Sequence, residues 1–199
     1  MEFDLAALAP LDRYKLLTGL VVPRPIAFVS SISADGTHNA APFSFFNMFG
    51  VSPAVVVLGI NVRSGKPKDS FANIAAMKEF VVNIATADIA DKLNEASGDY
   101  GPEIDEFERA GLTPLASVKV RPPRIAEAAA SVECRLMEVV QLDEGPARLI
   151  IGEMIYAHVR DGIVTDGKVD ASKLDAIGRM GGPVYNYTRE TFAMDRPVV

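Results

Sequence analysis

The chain has 199 residues, of which 49% are apolar and 23% are charged, so it can bury the core of one folded domain spanning residues 1–199. Its net charge of −6 argues against a general nucleic-acid binder, which is usually basic. One cysteine and two distant histidines are too few for a disulfide framework, a structural zinc site built on cysteines or a catalytic metal centre built by the protein.

The pattern of apolar, glycine and proline residues predicts elements along the whole chain. Helices are predicted at Leu11–Thr18, at about Ser70–Lys78 and in two stretches of Ile89–Ala110, and strands at Pro25–Ile32, Ala54–Val62, Phe80–Ala85, Ser131–Leu142 and Ala147–Val159. Asp35-Gly36 predicts a hairpin turn. Asn39–Asn47 carries Pro42, which favours an edge strand or irregular structure.

The last two strands are long, and they are joined by Asp143-Glu144-Gly145-Pro146. In the first of them the apolar alternation changes phase after Met137, which predicts a β-bulge. Long, bent antiparallel strands suit a barrel better than a parallel sheet, and helices do not alternate regularly with strands. We therefore expect a mainly β fold with flanking helices.

Targeting and membrane segments are not evident in this sequence. The N-terminus lacks the positive start of a secretory signal, and the most apolar run, Ala54–Ile60, is too short to span a bilayer. We expect a cytoplasmic protein with no membrane or nucleic-acid partner.

Several common catalytic motifs are missing. No GxGxxG follows a predicted strand, which argues against a built-in dinucleotide domain. Gly59–Pro67 is one residue too long for a P-loop and has proline where a magnesium-binding hydroxyl should stand. No GxSxG nucleophile elbow is present.

Three segments could bind a ligand, and each also has a plain structural interpretation. Arg63–Ser70 puts three cations before a helix whose first turn Asp69 or Ser70 could cap, which suits a phosphate or an ordinary capped helix behind a solvated loop. Asn39–Asn47 suits a flat heteroaromatic ligand or a set of core aromatics. Gly178–Tyr187 suits close backbone approach to a ligand or a C-terminal turn.

The remaining reactive residue types are given structural roles. His38 is expected in a solvated loop, and His158 is expected to be a hydrogen-bonded strand residue. Cys134 is expected to be an inert core residue. The acidic run Glu103–Glu108 is expected to be a solvated helix face rather than a metal site.

Together these segments resemble the flavin reductase-like, FMN-binding split-barrel family, from about Leu11 to Pro197. The resemblance is carried, in order, by Arg24–Ser31, Asn39–Asn47, Ser52–Val56, Lys68–Ser70 with Asn73-Ile74, Glu79–Ile84, Arg179–Gly182 with Tyr185, and Arg196-Pro197. It implies an antiparallel six-stranded split β-barrel that forms a homodimer, with FMN near the interface between subunits.

The resemblance also implies roles for residues. The FMN phosphate would be held by Lys68, Asp69 and Ser70 with Lys66 as a helper, and the ribityl or phosphate side would be lined by Ser30 and Ser31. The isoalloxazine ring would be contacted by Ala41, Pro42, Ser44 and Phe45, with Asn47 also in the cofactor site. The C-terminal segment would bring Arg179 and Tyr185 to the ring. Pro67 stiffens this loop and affects which lysine reaches the phosphate, while Ser70 keeps the hydroxyl of the commoner threonine.

Two functions follow from this resemblance. The first is an NAD(P)H-dependent flavin reductase that passes electrons to a partner oxygenase or another acceptor protein. The second is a flavoredoxin-like electron-transfer protein that holds FMN tightly and has no direct nicotinamide activity. Direct oxidation of a small substrate is a third hypothesis. No catalytic side chain is predicted, because the flavin carries the electrons, and NAD(P)H would bind only transiently.

Overall fold

A computed structural model describes residues 1–61, 68–142 and 147–198 of the chain. The helices are α1 (Pro10–Leu20), α2 (Asp69–Met77), the 3₁₀ turn η1 (Ala87–Ile89), α3 (Ala90–Glu95), α4 (Glu106–Arg109) and α5 (Ala171–Leu174). The strands are β1 (Arg24–Pro25), β2 (Ala27–Ile32), β3 (His38–Phe43), β4 (Phe46–Val51), β5 (Ala54–Asn61), β6 (Glu79–Ile84), β7 (Pro114–Leu115), β8 (Arg124–Ile125), β9 (Ala130–Gln141), β10 (Ala147–Val159), β11 (Val164–Thr165), β12 (Lys168–Val169), β13 (Ile177–Arg179) and β14 (Tyr185–Tyr187).

The largest sheet has seven strands in the order β3-β2-β6-β9-β10-β5-β4, and every neighbouring pair is antiparallel. This differs from the expected six because Asn39–Asn47 is not one strand: β3 ends at Phe43 and β4 begins at Phe46. These two strands form opposite edges of the sheet, so Ser44 and Phe45 carry the chain from one edge to the other. The hydrogen bonds among the described strands therefore leave the sheet open.

One apolar core unites the two halves of this sheet. Its buried members come from strands on both sides of β9, and from α2: Ala27, Val29, Phe43, Val56, Leu58, Ile60, Ile74, Phe80, Val82, Cys134 and Ile150. β3 at one edge also contacts β5 near the other edge, so the sheet curls around this core. The thiol of Cys134 lies in this core, and burial raises its pKa, which agrees with an inert role.

The two long strands contain the predicted bulge. Ile151 pairs with Glu138 and Gly152 pairs with Leu136, so Met137 is the extra residue on β9. A second shift makes Ile155 an extra residue on β10. The connection Asp143-Glu144-Gly145-Pro146 lies outside the described residues, as does most of the basic loop, from Arg63 to Pro67.

Both histidines make specific contacts. His158 Nε2 lies 2.6 Å from Oε1 of the fully buried Glu133, which agrees with a hydrogen-bonded strand residue. His38 is not in a solvated loop: it begins β3, its Nδ1 lies 3.4 Å from Asp105, and its ring packs 5.4 Å from that of Phe107. Neither histidine has a cluster of metal ligands around it, since the described residues hold no group of three or more His, Cys, Asp or Glu suited to a metal ion.

A second, three-stranded sheet joins the two ends of the chain in the order β1-β13-β14. In its register, Arg24 faces Arg179 across one pair of strands, and Arg179 faces Tyr185 across the other. The sheet therefore holds the predicted C-terminal site residues against the first strand. Among the helices described here, none is long and apolar enough to cross a membrane.

Candidate functional site

A cleft of about 710 Å³ lies where the edge strand β3, the start of α2 and the three-stranded sheet meet. Clefts of a few hundred to a thousand cubic ångströms are the usual size for small-molecule and cofactor sites. It is lined by Tyr14, Thr18, Arg24, Ile26, Asn39, Ala41, Pro42, Ser44, Lys68, Asp69, Ser70, Asn94, Ala96, Ser97, Gly98, Asp99, Tyr100, Gly101, Pro102, Glu106, Arg179, Gly182, Pro183 and Tyr185.

Most of the predicted site residues meet in this cleft, although they come from distant segments of the sequence. Eight line it: Ala41, Pro42, Ser44, Lys68, Asp69, Ser70, Arg179 and Tyr185. The fold brings them together because β3 is an edge strand and the C-terminal β13–β14 hairpin is held on β1.

Ser30 and Ser31 lie behind the cleft instead of lining it. Both are fully buried, and both hydroxyls are used inside the protein. Ser30 donates to the carbonyl of Pro123 at 2.6 Å, and Ser31 donates to Oδ1 of Asn39 at 3.1 Å. Both hydroxyls therefore bond within the protein and neither residue lines the cleft, and the role expected of them at the ribityl or phosphate side stays a prediction.

Phe45 and Asn47 are also outside the lining. Phe45 is exposed and packs edge-to-face on Tyr14, with 6.5 Å between ring centroids. The side-chain oxygen of Asn47 accepts a hydrogen bond from the N–H of Met48 at 2.8 Å. Lys66, the expected helper at the phosphate, lies outside the described residues.

Arg24 was missed as a site residue, although it opens the first of the matching motifs. Its guanidinium is buried and donates to the carbonyls of Thr18 (2.5 Å), Val21 (2.8 Å) and Met180 (2.9 Å), with Ser44 Oγ at 3.5 Å. Burial lowers its pKa and the nearby Arg179 adds to this. Arg24 thus ties the end of α1 to the C-terminal segment that forms one wall of the cleft.

The wall formed by the C-terminal segment, Arg179 to Tyr185, which we call the tail wall, presents a cation stacked on an aromatic ring. The guanidinium of Arg179 lies 4.4 Å from the ring centroid of Tyr185, and its Nη2 donates to the carbonyl of Gly182 at 2.7 Å. Such stacking holds an arginine in one orientation and leaves other N–H groups for an anionic or carbonyl-rich ligand.

The start of α2 forms another wall, and it is capped differently from the prediction. Lys68 occupies the N-cap position and makes no side-chain cap, so neither Asp69 nor Ser70 caps the helix. The ammonium of Lys68 lies 5.8 Å from the ring centroid of Phe43. A helix start without a side-chain cap and with a lysine beside it favours an anion.

A buried polar network lies beneath this wall. Ser70 donates to Oδ1 of Asn39 at 2.7 Å, and the Asn39 amide donates to Oε1 of Glu106 at 2.9 Å. The acidic run is therefore not a wholly solvated face, because Glu106 in its middle is 6% exposed and lines the cleft. Burial raises the pKa of Glu106, and the hydrogen bond from the Asn39 amide opposes this shift.

Charge is unevenly distributed around the cleft. Arg24 and Arg179 are neighbours at the tail wall. Asp69 lies at the start of α2, where burial and the carboxylate of Glu103 raise its pKa. A ligand that carries both an anionic group and neutral hydrogen-bonding groups would fit this mixture of residues.

These features fit the cofactor that the resemblance implies. A flavin mononucleotide has a phosphate, a polyol chain and a flat ring with polar edges. The cleft offers a helix start with Lys68 for the first, a buried carboxylate for the second, and the edge strand from Ala41 to Ser44 for the third. The observations that support this fit are the uncapped helix start and the Glu106 Oε2 atom, which is buried without a hydrogen bond to a described residue.

The described strands thus form an open, curled antiparallel sheet with a polar cleft beside its edge strand β3. The model of the family described as flavin reductase like domain matches residues 19–190, and this chain belongs to that family.

Solved structures agree with this assignment. Nitrilotriacetate monooxygenase component B from Bacillus cereus superposes with a TM-score of 0.94 at 32% identity, over 98% of each chain. The 2-nitrobenzoate 2-nitroreductase NbaA from Pseudomonas fluorescens has a TM-score of 0.91 at 30% identity, over 99% of this chain and 96% of that one. Flavoredoxin from Desulfovibrio vulgaris (Miyazaki F) shares the fold, with a TM-score of 0.77 at 21% identity over 98% and 97%. Family and neighbours support a flavin cofactor.

Proposed function

We propose that this protein is a single-domain FMN-binding flavin reductase that takes electrons from NADH or NADPH and passes them to a partner. The observation that carries this proposal is the cleft itself, which brings the Arg179–Tyr185 pair to Lys68 and the edge strand at Pro42, more than a hundred residues earlier in the chain. Such convergence of a cation, a polar strand edge and a stacked aromatic is what a phosphate-bearing, flat cofactor requires.

The chain's own residues would bind, orient and shield the cofactor. Lys68 and the first N–H groups of α2 would hold the phosphate, and Ala41, Pro42 and Ser44 would lie along the ring edge. Arg179 and Tyr185 would close the tail side. When bound, the flavin supplies the capacity to accept a hydride and release electrons.

No side chain is assigned to proton transfer. The sequence has no GxGxxG dinucleotide motif after a strand, so the nicotinamide is proposed to bind transiently against the flavin. The nicotinamide is proposed to bind along the wall formed by Asn94 and residues 96–102.

The acceptor is proposed to be a partner oxygenase or another acceptor protein. This is supported by the similarity to component B of nitrilotriacetate monooxygenase. The alternative, a flavoredoxin-like carrier without nicotinamide activity, has a fold-level likeness at 21% identity in its favour. Direct oxidation of a small substrate is the third hypothesis; the neighbour NbaA at 30% identity, a nitroreductase, supports direct chemistry on a small molecule but in the reducing direction.

An anaerobic titration separates these functions. The protein is loaded with FMN, NADH or NADPH is added, and the visible flavin band is followed. Rapid bleaching with one nucleotide supports the reductase. A bound flavin that stays oxidised with both nucleotides but bleaches with dithionite supports the electron carrier. A protein that takes up no flavin refutes all three functions.

The phosphate site has its own test. Lys68→Ala is expected to weaken FMN binding by about 1–3 kcal/mol, the range for a hydrogen bond to a charged group, and to leave riboflavin binding unchanged. Lys168→Ala, an exposed lysine on β12, is the matched control. Equal losses for FMN and riboflavin would remove Lys68 from the phosphate site.

A cytoplasmic homodimer is also proposed. It is supported by the exposed apolar side chains of the edge strand β4, which are Met48, Phe49 and Val51. Large exposed apolar groups on one strand are common at interfaces between subunits. Light scattering at micromolar concentration measures the mass, and a monomer that still binds FMN would contradict the dimer.

A further inference from the structure

Glu106 has one carboxylate oxygen that the fold leaves without a partner. The residue is 6% exposed and lines the cleft, yet its Oε2 is buried and makes no hydrogen bond to any described residue. An unsatisfied buried polar atom is costly and therefore rare in native proteins, so this one needs a bonding partner from outside the described residues.

The other oxygen is held firmly. Oε1 accepts from the amide of Asn39 at 2.9 Å, and Asn39 Oδ1 accepts from the hydroxyls of both Ser70 (2.7 Å) and Ser31 (3.1 Å). The Asn39 side chain thus receives two hydrogen bonds and gives one, which fixes its orientation and that of the carboxylate. Oε2 is the remaining atom of this network without a bond, and it belongs to a residue of the cleft wall.

The surrounding charges select what can bind there. Asp69 lies close enough to raise the pKa of Glu106, and Glu103 and Asp99 act on Asp69 in the same direction. A phosphate or carboxylate at Oε2 would meet the charge of Glu106 itself as well as that of Asp69, whereas at the start of α2 the charge of Asp69 is opposed by Lys68. A neutral hydroxyl would not be repelled, and it donates a hydrogen bond to a carboxylate favourably.

We propose that Glu106 is the residue that recognises the polyol chain of the flavin, with Oε2 accepting a hydrogen bond from one of its hydroxyls. This inference rests on the proposed flavin binding. It assigns the phosphate to Lys68 and the polyol to Glu106, and it makes Asn39 the positioning residue that aims the carboxylate.

Fluorescence titration with three ligands tests the assignment. FMN has a phosphate and a polyol, riboflavin has the polyol alone, and lumiflavin has neither. Glu106→Gln is expected to weaken FMN and riboflavin equally, by roughly tenfold to a hundredfold, and to leave lumiflavin unchanged. Glu108→Gln, an exposed residue of the same helix, is the control and is expected to change none of the three.

The wild-type protein gives a second test that does not depend on a variant. Of the three single-deoxy riboflavins, which lack the 2′, 3′ or 4′ hydroxyl, at least one is expected to bind wild type about tenfold or more weakly than riboflavin. Glu106→Gln is expected to remove that difference. If all three bind wild type as riboflavin does, the proposal is wrong.

The failures are distinguishable. Equal weakening of lumiflavin by Glu106→Gln would mean that Glu106 contacts the ring or only supports the fold. Weakening of FMN alone would mean that it contacts the phosphate. Either result overturns the polyol assignment while leaving flavin binding intact, whereas a wild-type protein that binds no flavin refutes the proposed function itself.

Discussion

Arg24→Lys tests whether one buried guanidinium holds the two ends of the chain together at the cleft. The arginine donates to Thr18 and Val21 at the end of α1 and to Met180 in the C-terminal segment. A lysine keeps the charge but has a single nitrogen, so it cannot reach the helix end and the tail at the same time. The substitution therefore breaks the link between them while leaving most of the volume filled.

The expected cost follows from the bonds lost. One or two hydrogen bonds from a charged donor, at about 1.5–3 kcal/mol each, give about 3 kcal/mol. For a chain of this size 1 kcal/mol shifts Tm by about 2–4 °C, so we expect a fall of roughly 6–12 °C. Thermal unfolding followed by circular dichroism measures it. Because Arg179 and Tyr185 depend on the same sheet, flavin affinity is expected to fall as well.

The control is Arg135→Lys, at an exposed position of β9, where no change in Tm is expected. A fall in Tm of less than 2 °C for Arg24→Lys would refute the reasoning, since it would mean that one ammonium group, alone or with water, replaces the guanidinium's hydrogen bonds to both segments. A normal Tm with lost flavin binding would instead make Arg24 a direct ligand contact.

Three further predictions concern stability. Glu133 accepts hydrogen bonds from three backbone N–H groups and from His158, and although burial opposes the shift, these bonds lower the pKa of Glu133. Glu133→Gln should therefore lower the free energy of unfolding in urea by about 3–5 kcal/mol at neutral pH. The difference from wild type should close as pH falls through the lowered pKa. The pKa of Glu106 shifts the other way, because burial raises it. Without ligand, the Glu106→Gln protein should therefore have a larger free energy of unfolding than wild type, and this difference should appear as pH rises through the raised pKa. A Cβ on Gly152 would lie 2.5 Å from Cζ of the buried Phe80, so Gly152→Ala should cost about 1–3 kcal/mol by the same urea assay. A stable Glu133→Gln protein, a destabilised Glu106→Gln protein or a neutral Gly152→Ala would each contradict the corresponding argument.

Local patterns predicted much of this fold because local physics determines it. The strand from Ala147 to Val159 has the predicted bounds, and the phase change after Met137 is the bulge that the alternation indicated. Alternation depends on which face of a strand is buried, and a single extra residue reverses it. Strand bounds and bulges of this kind can therefore be predicted from about ten consecutive residues.

Local patterns predict less where distant segments decide the structure. The sequence predicts an edge strand or irregular structure at Asn39–Asn47, and the stretch contains parts of two edge strands with a break at Ser44-Phe45; nothing local shows that these strands lie at opposite edges of the sheet. Ser30 and Ser31 have the right residue type for a phosphate, but their hydroxyls are taken by Pro123 and Asn39. The acidic run looked solvated because the burial of Glu106 depends on its contact with Asn39, 67 residues earlier.

The same long-range contact explains why a costly group persists in the cleft. A buried carboxylate with a raised pKa and an unused oxygen destabilises the ligand-free protein. A ligand hydroxyl that completes the network offsets this cost only in the bound state, and the stability cost and the ligand affinity then belong to the same atom. Opposite effects of Glu106→Gln, a more stable protein that binds riboflavin less tightly, are what this account requires; a residue that only supports the fold would lose both together.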